Sequence, residues 1–357
     1  MTTDKHSERL RKLLDDSLEG SNVTVMSDLA GGLSEFYGRA LEEADEVFTG
    51  SERGISCTHF ICEAADTIVR QIADHRPSSG VSLAWVATGG FGGGMLSPGS
   101  TVRIMLLHDE PDPDLAEEVT RQAAGCLHDV LPRTDVKTFS IQEAIRRMAT
   151  DTLLASDLLK TRLIAGHEGL YDQFRVGVTE DFLVSNWGRF VEEAIEESLS
   201  ARDPYTRSPY QTEFNIKESP GGLRDTGTLR KIADALLHIP ELDNFWGRIG
   251  GASSGILTEK ERDILDQSAA LLIRTRNELQ FLHEPDSDIV ETRLQPALAR
   301  SMGYNTQEQS APAAVGNMMH TLFHHTGAVT RLIRAVEERF SHIHAVAWQN
   351  ADPPVKR

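Results

Sequence analysis

A glycine-rich turn between two apolar, strand-forming segments is the part of the sequence best suited to phosphate chemistry. The stretch reads WVATGGFGGGMLSPGSTVRIMLLH, from Trp85 to His108. Glycines let a backbone come close to phosphate oxygens, so that its N–H groups can donate to them. Two common glycine patterns do not fit. G-x-G-x-x-G fails because Met95 and Ser97 occupy the last position, and a P-loop fails because no lysine follows the glycines.

The order strand, glycine pair, short helix, strand resembles the polymerase-beta-like nucleotidyltransferases. In that class the second strand carries two carboxylates two residues apart, which point to the same side of the sheet. They hold Mg²⁺ ions that bind the triphosphate and activate the attacking hydroxyl. In this sequence Thr101 and Arg103 stand at these two positions.

Within that class, the stretch is similar to the bacterial PII-protein uridylyltransferase/uridylyl-removing enzymes. The family pattern reads roughly G-G-[YF]-G-R-G-E-L-S-P-x-S-D-[IV]-D, and the chain has GGFGGGMLSPGSTVR. The matching residues are Gly89, Gly90, Phe91, Gly92, Gly94, Leu96, Ser97, Pro98, Ser100 and Val102. The family's arginine and glutamate are replaced by Gly93 and Met95, and its two aspartates by Thr101 and Arg103.

A second block supports the same resemblance. FNIKESPGGLRD matches the family string N-[IV]-K-E-x-P-G-G-L-R-D from Asn215 to Asp225. Weaker likeness extends the similarity over about residues 50–340. The resemblance implies an α+β fold, in which a small polymerase-beta-like nucleotidyltransferase domain with a few-stranded mixed sheet precedes an all-α helical domain.

Apolar periodicity adds the element boundaries. It predicts helices over 7–48 and from Thr58 to His75, strands at VSLAWVAT, TVRIMLLH and DVKTFS, and almost continuous helix after Ile141. The segment 141–166 is predicted to be one of these helical segments and to end at Gly166. The expected domains are N-terminal helices (1–50), a nucleotidyltransferase-like domain (51–165), the helical domain (166–342) and a tail (343–357).

The replaced positions predict that metal-dependent transfer is lost. A Mg²⁺ ion about 4 Å from the Arg103 guanidinium would meet about 8 kcal/mol of repulsion at an effective dielectric constant near 20. Loss of both aspartates also removes the anions that hold the metal. One carboxylate, Asp135, is expected on the neighbouring strand as a remnant of a third metal ligand or as a plain surface acid. No catalytic residues and no resident metal are therefore expected.

Nucleotide binding without a metal remains a hypothesis. The backbone donors of the loop Gly89–Gly94 are expected to remain, and a guanidinium can take the place of a metal against phosphate. In the second block, Lys217 and Arg224 are expected either to line the same cleft or to belong to a turn and helix start that joins the domains. The candidate nucleotide-binding residues are Gly89, Gly90, Gly92, Ser97, Ser100, Arg103, Lys217 and Arg224.

The favoured function is thus a catalytically degenerate PII-uridylyltransferase-like protein that acts as a nucleotide- or protein-binding regulator in nitrogen or nucleotide signalling. The alternatives are an active uridylyl- or adenylyltransferase with a rearranged Mg²⁺ site, and an interaction module that binds no nucleotide. No cofactor is required, UTP or ATP is the expected ligand, and a PII-like protein is the partner that the resemblance implies. A formal net charge of −18 disfavours nucleic-acid binding. The sequence has no apolar run that would span a membrane, and we expect a cytoplasmic protein.

Overall fold

The structure is a computed structural model that describes residues 2–19, 26–75, 80–131, 133–200, 213–237, 256–283, 287–304 and 310–350. The chain divides into two compact units. The first consists of Met1–Asp181 and Arg274–Ser287, and the second of Phe182–Ile273 and Asp288–Arg357. Residues 201–212, in a segment rich in proline and tyrosine, and the end of the predicted tail (351–357) lie outside the described residues.

The first unit begins with three helices: α1 (Thr2–Leu18), α2 (Met26–Val47) and α3 (Ile55–His75). Their apolar residues recur at helical spacing and enter the same core as one face of the sheet. Among the residues buried there are Leu29, Leu33, Phe36, Phe60, Ile61, Ile68 and Val69. The helices predicted from periodicity are therefore present, and the first two pack as part of this unit.

A four-stranded mixed sheet follows, in the order β3-β2-β1-β4. It comprises β1 (Leu83–Thr88), β2 (Val102–His108), β3 (Thr134–Ser140) and β4 (Thr161–Gly166). β1 pairs antiparallel with β2 and β4. β2 and β3 are parallel, and α5 (Pro113–Val130) connects them. The short helix α4 (Gly89–Gly92) lies between β1 and β2, as the glycine pattern predicted.

The prediction of one helical segment from Ile141 to Gly166 is wrong. The chain forms α6 (Ile141–Met148) and α7 (Thr152–Leu158) and then enters β4. β4 forms because its backbone completes the open edge of β1, a long-range pairing that local periodicity does not reveal. Gly166 ends this strand at φ +90 instead of ending a helix.

The first unit continues beyond residue 165, where the sequence-based boundary lies. Helix α8 (Glu168–Gly177) packs on the sheet strands and α6, which carries the unit to Asp181. Its buried side chains include Leu170, Tyr171 and Phe174. A π-helical turn (Val178–Leu183) follows α8.

The second unit is mainly helical, as predicted. It contains α9 (Val184–Ser200), α10 (Leu223–Leu237), α12 (Gln295–Ser301) and α13 (Ala311–Asn350). Helix α11 (Glu259–Leu282) begins in this unit, and its residues from Arg274 onward belong to the first. The unit also holds a short antiparallel pair, β5 (Phe214–Asn215) and β6 (Ile289–Val290). None of the helices in the described part of the chain is both long and apolar enough to cross a membrane.

Candidate functional site

The glycine turn after β1 is shaped by its own packing. Gly89 has φ +56, a conformation that side chains disfavour. A Cβ on Gly92 would lie 2.1 Å from the carbonyl oxygen of Lys160 and 2.8 Å from that of Ala87, so only glycine fits there. Both glycines are therefore required by the fold, whether or not a phosphate binds.

Several N–H groups of the turn already have partners inside it. The Gly93 N–H donates to the Gly89 carbonyl at 3.0 Å, the Gly94 N–H to Phe91 at 3.0 Å, and the Met95 N–H to Gly90 at 2.8 Å. The expectation that the whole loop keeps its donors for phosphate is thus corrected at Gly93 and Gly94, because closing the tight turn uses them.

The following segment, which carries Ser97 and Ser100, is also internally bonded. The Ser97 N–H donates to Ser100 Oγ at 2.9 Å, and the Ser100 N–H returns a bond to the Ser97 carbonyl at 2.9 Å. Arg276 Nη1 donates to Ser100 Oγ at 3.3 Å, and the Gly99 N–H donates to Gln280 Oε1 at 3.0 Å. These contacts position the segment and bring a second guanidinium next to it.

Arg103 lies between two carboxylates. Its Nη1 is 3.3 Å from Asp157 Oδ1, and its Nε is 4.0 Å from Asp135 Oδ2. Asp135 is opposite Arg103 in the parallel β2–β3 pair, which places it on the adjacent strand. Thr101 is exposed and directly precedes β2, which begins at Val102. The guanidinium therefore supplies the positive charge in the space that the two acids share.

Asp157 is the site residue that sequence reasoning missed. It belongs to α7, and its side chain is 20% exposed, against 42% for Arg103. A Cβ on Gly89 would lie 2.9 Å from Asp157 Oδ1 and 3.3 Å from Arg103 Nη1, so the pair lies directly against the glycine turn. Only the tertiary fold brings α7 to this position, because 54 residues separate Asp157 from Arg103 in the chain.

Three more cationic or ionisable side chains border the turn and the segment that follows it. A Cβ on Gly93 would be 3.6 Å from Lys160 Cδ, and one on Gly94 would be 3.7 Å from His59 Nε2. Arg133 Nη1 donates to the Gly99 carbonyl at 3.4 Å. The surroundings of the turn are thus richer in cations than the net charge of the protein would indicate.

The space at the Arg103–Asp157 pair is small. A cavity of about 10 Å³, lined in part by Thr88, Arg103, Asp135, Lys137 and Asp157, has room for roughly one water. A larger cavity of about 820 Å³ lies at the other ends of β2 and β3. Its rim includes Asp109, Glu110, Glu117 and Glu143, a set of charges that repels polyphosphates.

A partly buried ion pair lies beside the turn, between β4 and α3. Arg162 on β4 donates to both carboxylate oxygens of Asp66 at 2.6 and 2.9 Å, and its guanidinium lies 5.5 Å from the centre of the Phe91 ring. Burial lowers the pKa of Arg162, but the hydrogen bonds to Asp66 outweigh it and leave the pKa raised. Phe91, the one bulky residue of α4, is fully buried in the core next to this guanidinium.

The second sequence block forms a compact turn within the second unit. Asn215 Oδ1 accepts from the N–H groups of Lys217 and Glu218 at 2.9 and 2.8 Å. Asp225 accepts from the Gly221 N–H at 2.7 Å and from the Ser198 hydroxyl. Gly221 has φ +77, and a Cβ there would lie 1.9 Å from the Thr326 carbonyl oxygen. The motif therefore has a structural explanation inside its own unit.

The two cations of this block are also partnered there. Arg224 bonds to Glu218 at 2.6 and 2.9 Å and to Glu197 at 2.8 Å, and Lys217 Nζ lies 3.5 Å from Glu218. The hydrogen bond with Glu218 raises the pKa of Arg224 despite partial burial. Burial raises the pKa of Glu218, but the hydrogen bonds and positive charges of Arg224 and Lys217 lower it by more than burial raises it. The pKa of Glu218 is therefore below its ordinary value. A phosphate contact for Lys217 or Arg224 stays a prediction.

The donor set does not fit a divalent metal. Asp135 and Asp157 both face the Arg103 guanidinium, which already supplies the compensating charge. Within the ranges that the structure describes, no group of three or more histidine, cysteine, aspartate or glutamate side chains is placed to hold a metal ion. Neither Met95 nor Gly93, at the other two replaced positions, adds a ligand of the kind Mg²⁺ prefers.

A mixed four-stranded sheet with a glycine turn between its first two strands, joined to a helical unit, defines an α+β protein of the nucleotidyltransferase type. Residues 189–336 match the family model described as GlnD PII-uridylyltransferase. Over this region the chain is therefore similar to the PII uridylyltransferases, as the second sequence block predicted.

Curated relatives agree with this assignment, and each bears the name bifunctional uridylyltransferase/uridylyl-removing enzyme. The protein of Cupriavidus metallidurans is 30% identical over 251 residues, which is 70% of this chain and 28% of the relative. That of Psychrobacter sp. is 29% identical over 290 residues, or 79% of this chain and 30% of the relative. That of Burkholderia vietnamiensis is 28% identical, with 80% of this chain and 32% of the relative covered. The chain thus spans about a third of the length of these relatives.

Proposed function

We propose that this protein is a catalytically inactive relative of the PII uridylyltransferases that acts by binding. The observation that carries the proposal is the position of Arg103, 3.3 Å from Asp157 and 4.0 Å from Asp135. A guanidinium placed among the acids repels a divalent cation there, and Thr101 provides no carboxylate to offset that repulsion. Transfer that depends on two metal ions then lacks both the metal and its ligands.

The ligand that we propose is a nucleoside triphosphate, with a PII-type protein as the regulated partner. Arg103, Lys160, Arg133 and Arg276 bring positive charge around the glycine turn and Ser100. Guanidinium groups can hold phosphate oxygens without a metal. The PII-type partner follows from the name of the matched family, and a role in nitrogen regulation follows from that partner.

A transfer assay tests the loss of catalysis. The protein is incubated with a PII-type protein, radiolabelled UTP or ATP, and Mg²⁺ or Mn²⁺, with an active uridylyltransferase as the positive control. We expect no labelled partner above background. Turnover at an ordinary enzyme rate, on the order of 1 s⁻¹ or faster, would overturn the proposal.

An active transferase with a rearranged metal site is the second candidate, and one observation favours it. Asp135 and Asp157 approach the same space from β3 and α7, so rotation of Arg103 away would leave two carboxylates there. Mn²⁺-dependent transfer in the same assay would support this candidate.

An interaction module without nucleotide binding is the third candidate. The internal hydrogen bonds of the turn and the cavity of about 10 Å³ favour it. Calorimetry with UTP and ATP, in EDTA and then in Mg²⁺, separates it from the first. Heat of binding in EDTA supports a metal-free nucleotide site, and its absence for both nucleotides leaves protein binding alone.

A further inference from the structure

Asp157 occupies the place at Arg103 that a ligand phosphate would need. Its Oδ1 atom is 3.3 Å from Arg103 Nη1, and both atoms lie within 3.3 Å of the position of a Cβ on Gly89. A carboxylate and a phosphate use the same guanidinium N–H groups. An anion that reaches the glycine turn must therefore compete with Asp157 for Arg103.

We propose that Asp157 is the affinity-determining residue of this site, an internal anion that a phosphate group must displace from Arg103. The inference rests on the proposed nucleotide binding and specifies which chemical group the ligand must have. The ligand must carry phosphate, because a neutral nucleoside has nothing to exchange for the carboxylate. The phosphate then gains the Arg103 guanidinium, and the free energy of the broken Arg103–Asp157 ion pair is subtracted from its binding.

Asp157 is better placed for this role than Asp135. Its carboxylate is the nearer of the two, at 3.3 Å against 4.0 Å, and its side chain is less exposed, at 20% against 42%. Helix α7 holds it in place, because Leu154, Ala155 and Leu158 are buried and Asp151 caps the helix by accepting from the Leu154 N–H at 2.9 Å. The competing anion is thus built on a packed element.

The cavity at the pair is consistent with a closed site. Its volume of about 10 Å³ leaves no room for a phosphate beside Arg103 and Asp157 as they stand. Binding at this position must then open the pair. Removal of the charge of Asp157 should lower the cost of opening while it leaves the size of the side chain almost unchanged.

The experiment compares four variants with the wild-type chain by isothermal titration calorimetry in EDTA. The probes are UTP, inorganic tripolyphosphate and uridine. Asp157→Asn removes the competing charge, and Arg103→Gln removes the guanidinium. The double variant Arg103→Gln/Asp157→Asn tests whether the two residues act together. Glu117→Gln is the matched control, because it removes one negative charge at the larger cavity, at the other end of the sheet.

We expect Asp157→Asn to bind UTP and tripolyphosphate about fivefold more tightly or better than the wild type, with no gain for uridine. The same change in the Arg103→Gln background should alter affinity less than about twofold. Glu117→Gln should match the wild type. Thermal melts of each variant establish that it is folded.

Three results would overturn the inference. Equal UTP affinity in wild type and Asp157→Asn would remove the competing role of Asp157 and leave the proposed nucleotide site standing. An equal gain in Glu117→Gln would show a general charge effect. Absence of UTP and tripolyphosphate binding in both wild type and Asp157→Asn would overturn the inference and the nucleotide-binding proposal together.

Discussion

Arg103 brings one positive charge into a space that Asp135 and Asp157 share, and this single residue decides which cations the site can accept. A guanidinium cannot lose its charge in a protein, so while Arg103 lies between the two acids their negative charge is already compensated and a metal gains little from them. The carboxylates nevertheless remain, at 3.3 and 4.0 Å from Arg103. Reversal of the charge at position 103 should therefore uncover a metal site.

Arg103→Asp is predicted to create Mn²⁺ binding. Three carboxylates from β2, β3 and α7 would then converge, repel one another without metal and be relieved by a divalent ion. We expect the melting temperature of the variant to rise by about 3 °C or more at millimolar Mn²⁺, and that of the wild type to stay constant. Arg103→Ala is the control, because it removes the guanidinium without adding an oxygen ligand. A Mn²⁺ response that is equal in both variants would contradict the prediction.

At the scale of elements, the structure separates two reasons why replacing a glycine lowers stability. One is a clash of the new Cβ with neighbouring backbone, and the other is a backbone conformation that side chains disfavour. Gly221 has φ +77 and backs onto the Thr326 backbone, where a Cβ would lie 1.9 Å from the carbonyl oxygen. Gly303 has φ +82 with open space around it, and Gly227 lies in α10, also with open space. The three positions form a matched series in the second unit.

Alanine substitutions along this series should rank in one order. Gly221→Ala should cost more than about 3 kcal/mol of unfolding free energy, because backbone must move. Gly303→Ala should cost about 1 kcal/mol for the backbone conformation alone. Gly227→Ala should be neutral or stabilising by up to about 1 kcal/mol, since alanine is the better helix former. Urea unfolding curves measure the three values, and a Gly221→Ala variant as stable as Gly303→Ala would rule out the close approach.

The helices and strands also show how much of the fold the sequence could predict. Helices α1, α2, α3, α9 and α11 follow from apolar periodicity because one face of each meets a core. β4 did not follow, since its residues gain burial only by pairing with β1, more than 70 residues earlier in the chain. The glycine turn was predicted in the right place, but the close approach of Gly92 to the Lys160 carbonyl needs the folded chain. Asp157 was not predicted for the same reason, because the residues around it in the sequence give no sign that it contacts Arg103.

At the scale of the whole molecule, acid acts in two opposite directions on stability. The formal net charge of −18 means that protonation of carboxylates first relieves repulsion across the protein. Glu261 acts against this trend. Burial raises its pKa, but the hydrogen bonds from Arg339 and Thr258 lower it by more than burial raises it. The resulting pKa is about 2, against an ordinary value of 4.5. Its carboxylate therefore stabilises the fold above pH 4.5 and loses that contribution as the pH falls toward 2.

Glu261→Gln is predicted to isolate this local contribution. The variant should be less stable than the wild type by about 1–2 kcal/mol at pH 7, a value reduced for solvent screening because Arg339 is partly exposed. The difference should shrink as the pH falls from about 4.5 toward 2, because Glu261 of the unfolded wild-type chain binds a proton in this range while the folded protein still keeps the carboxylate ionised. Glu259→Gln, in the first turn of the same helix, makes the same change in net charge without that ion pair and should show no such difference. Urea unfolding at several pH values checks this, and a gap between wild type and Glu261→Gln that stays constant down to pH 2 would mean that the Glu261–Arg339 pair contributes nothing to the acid sensitivity of the fold.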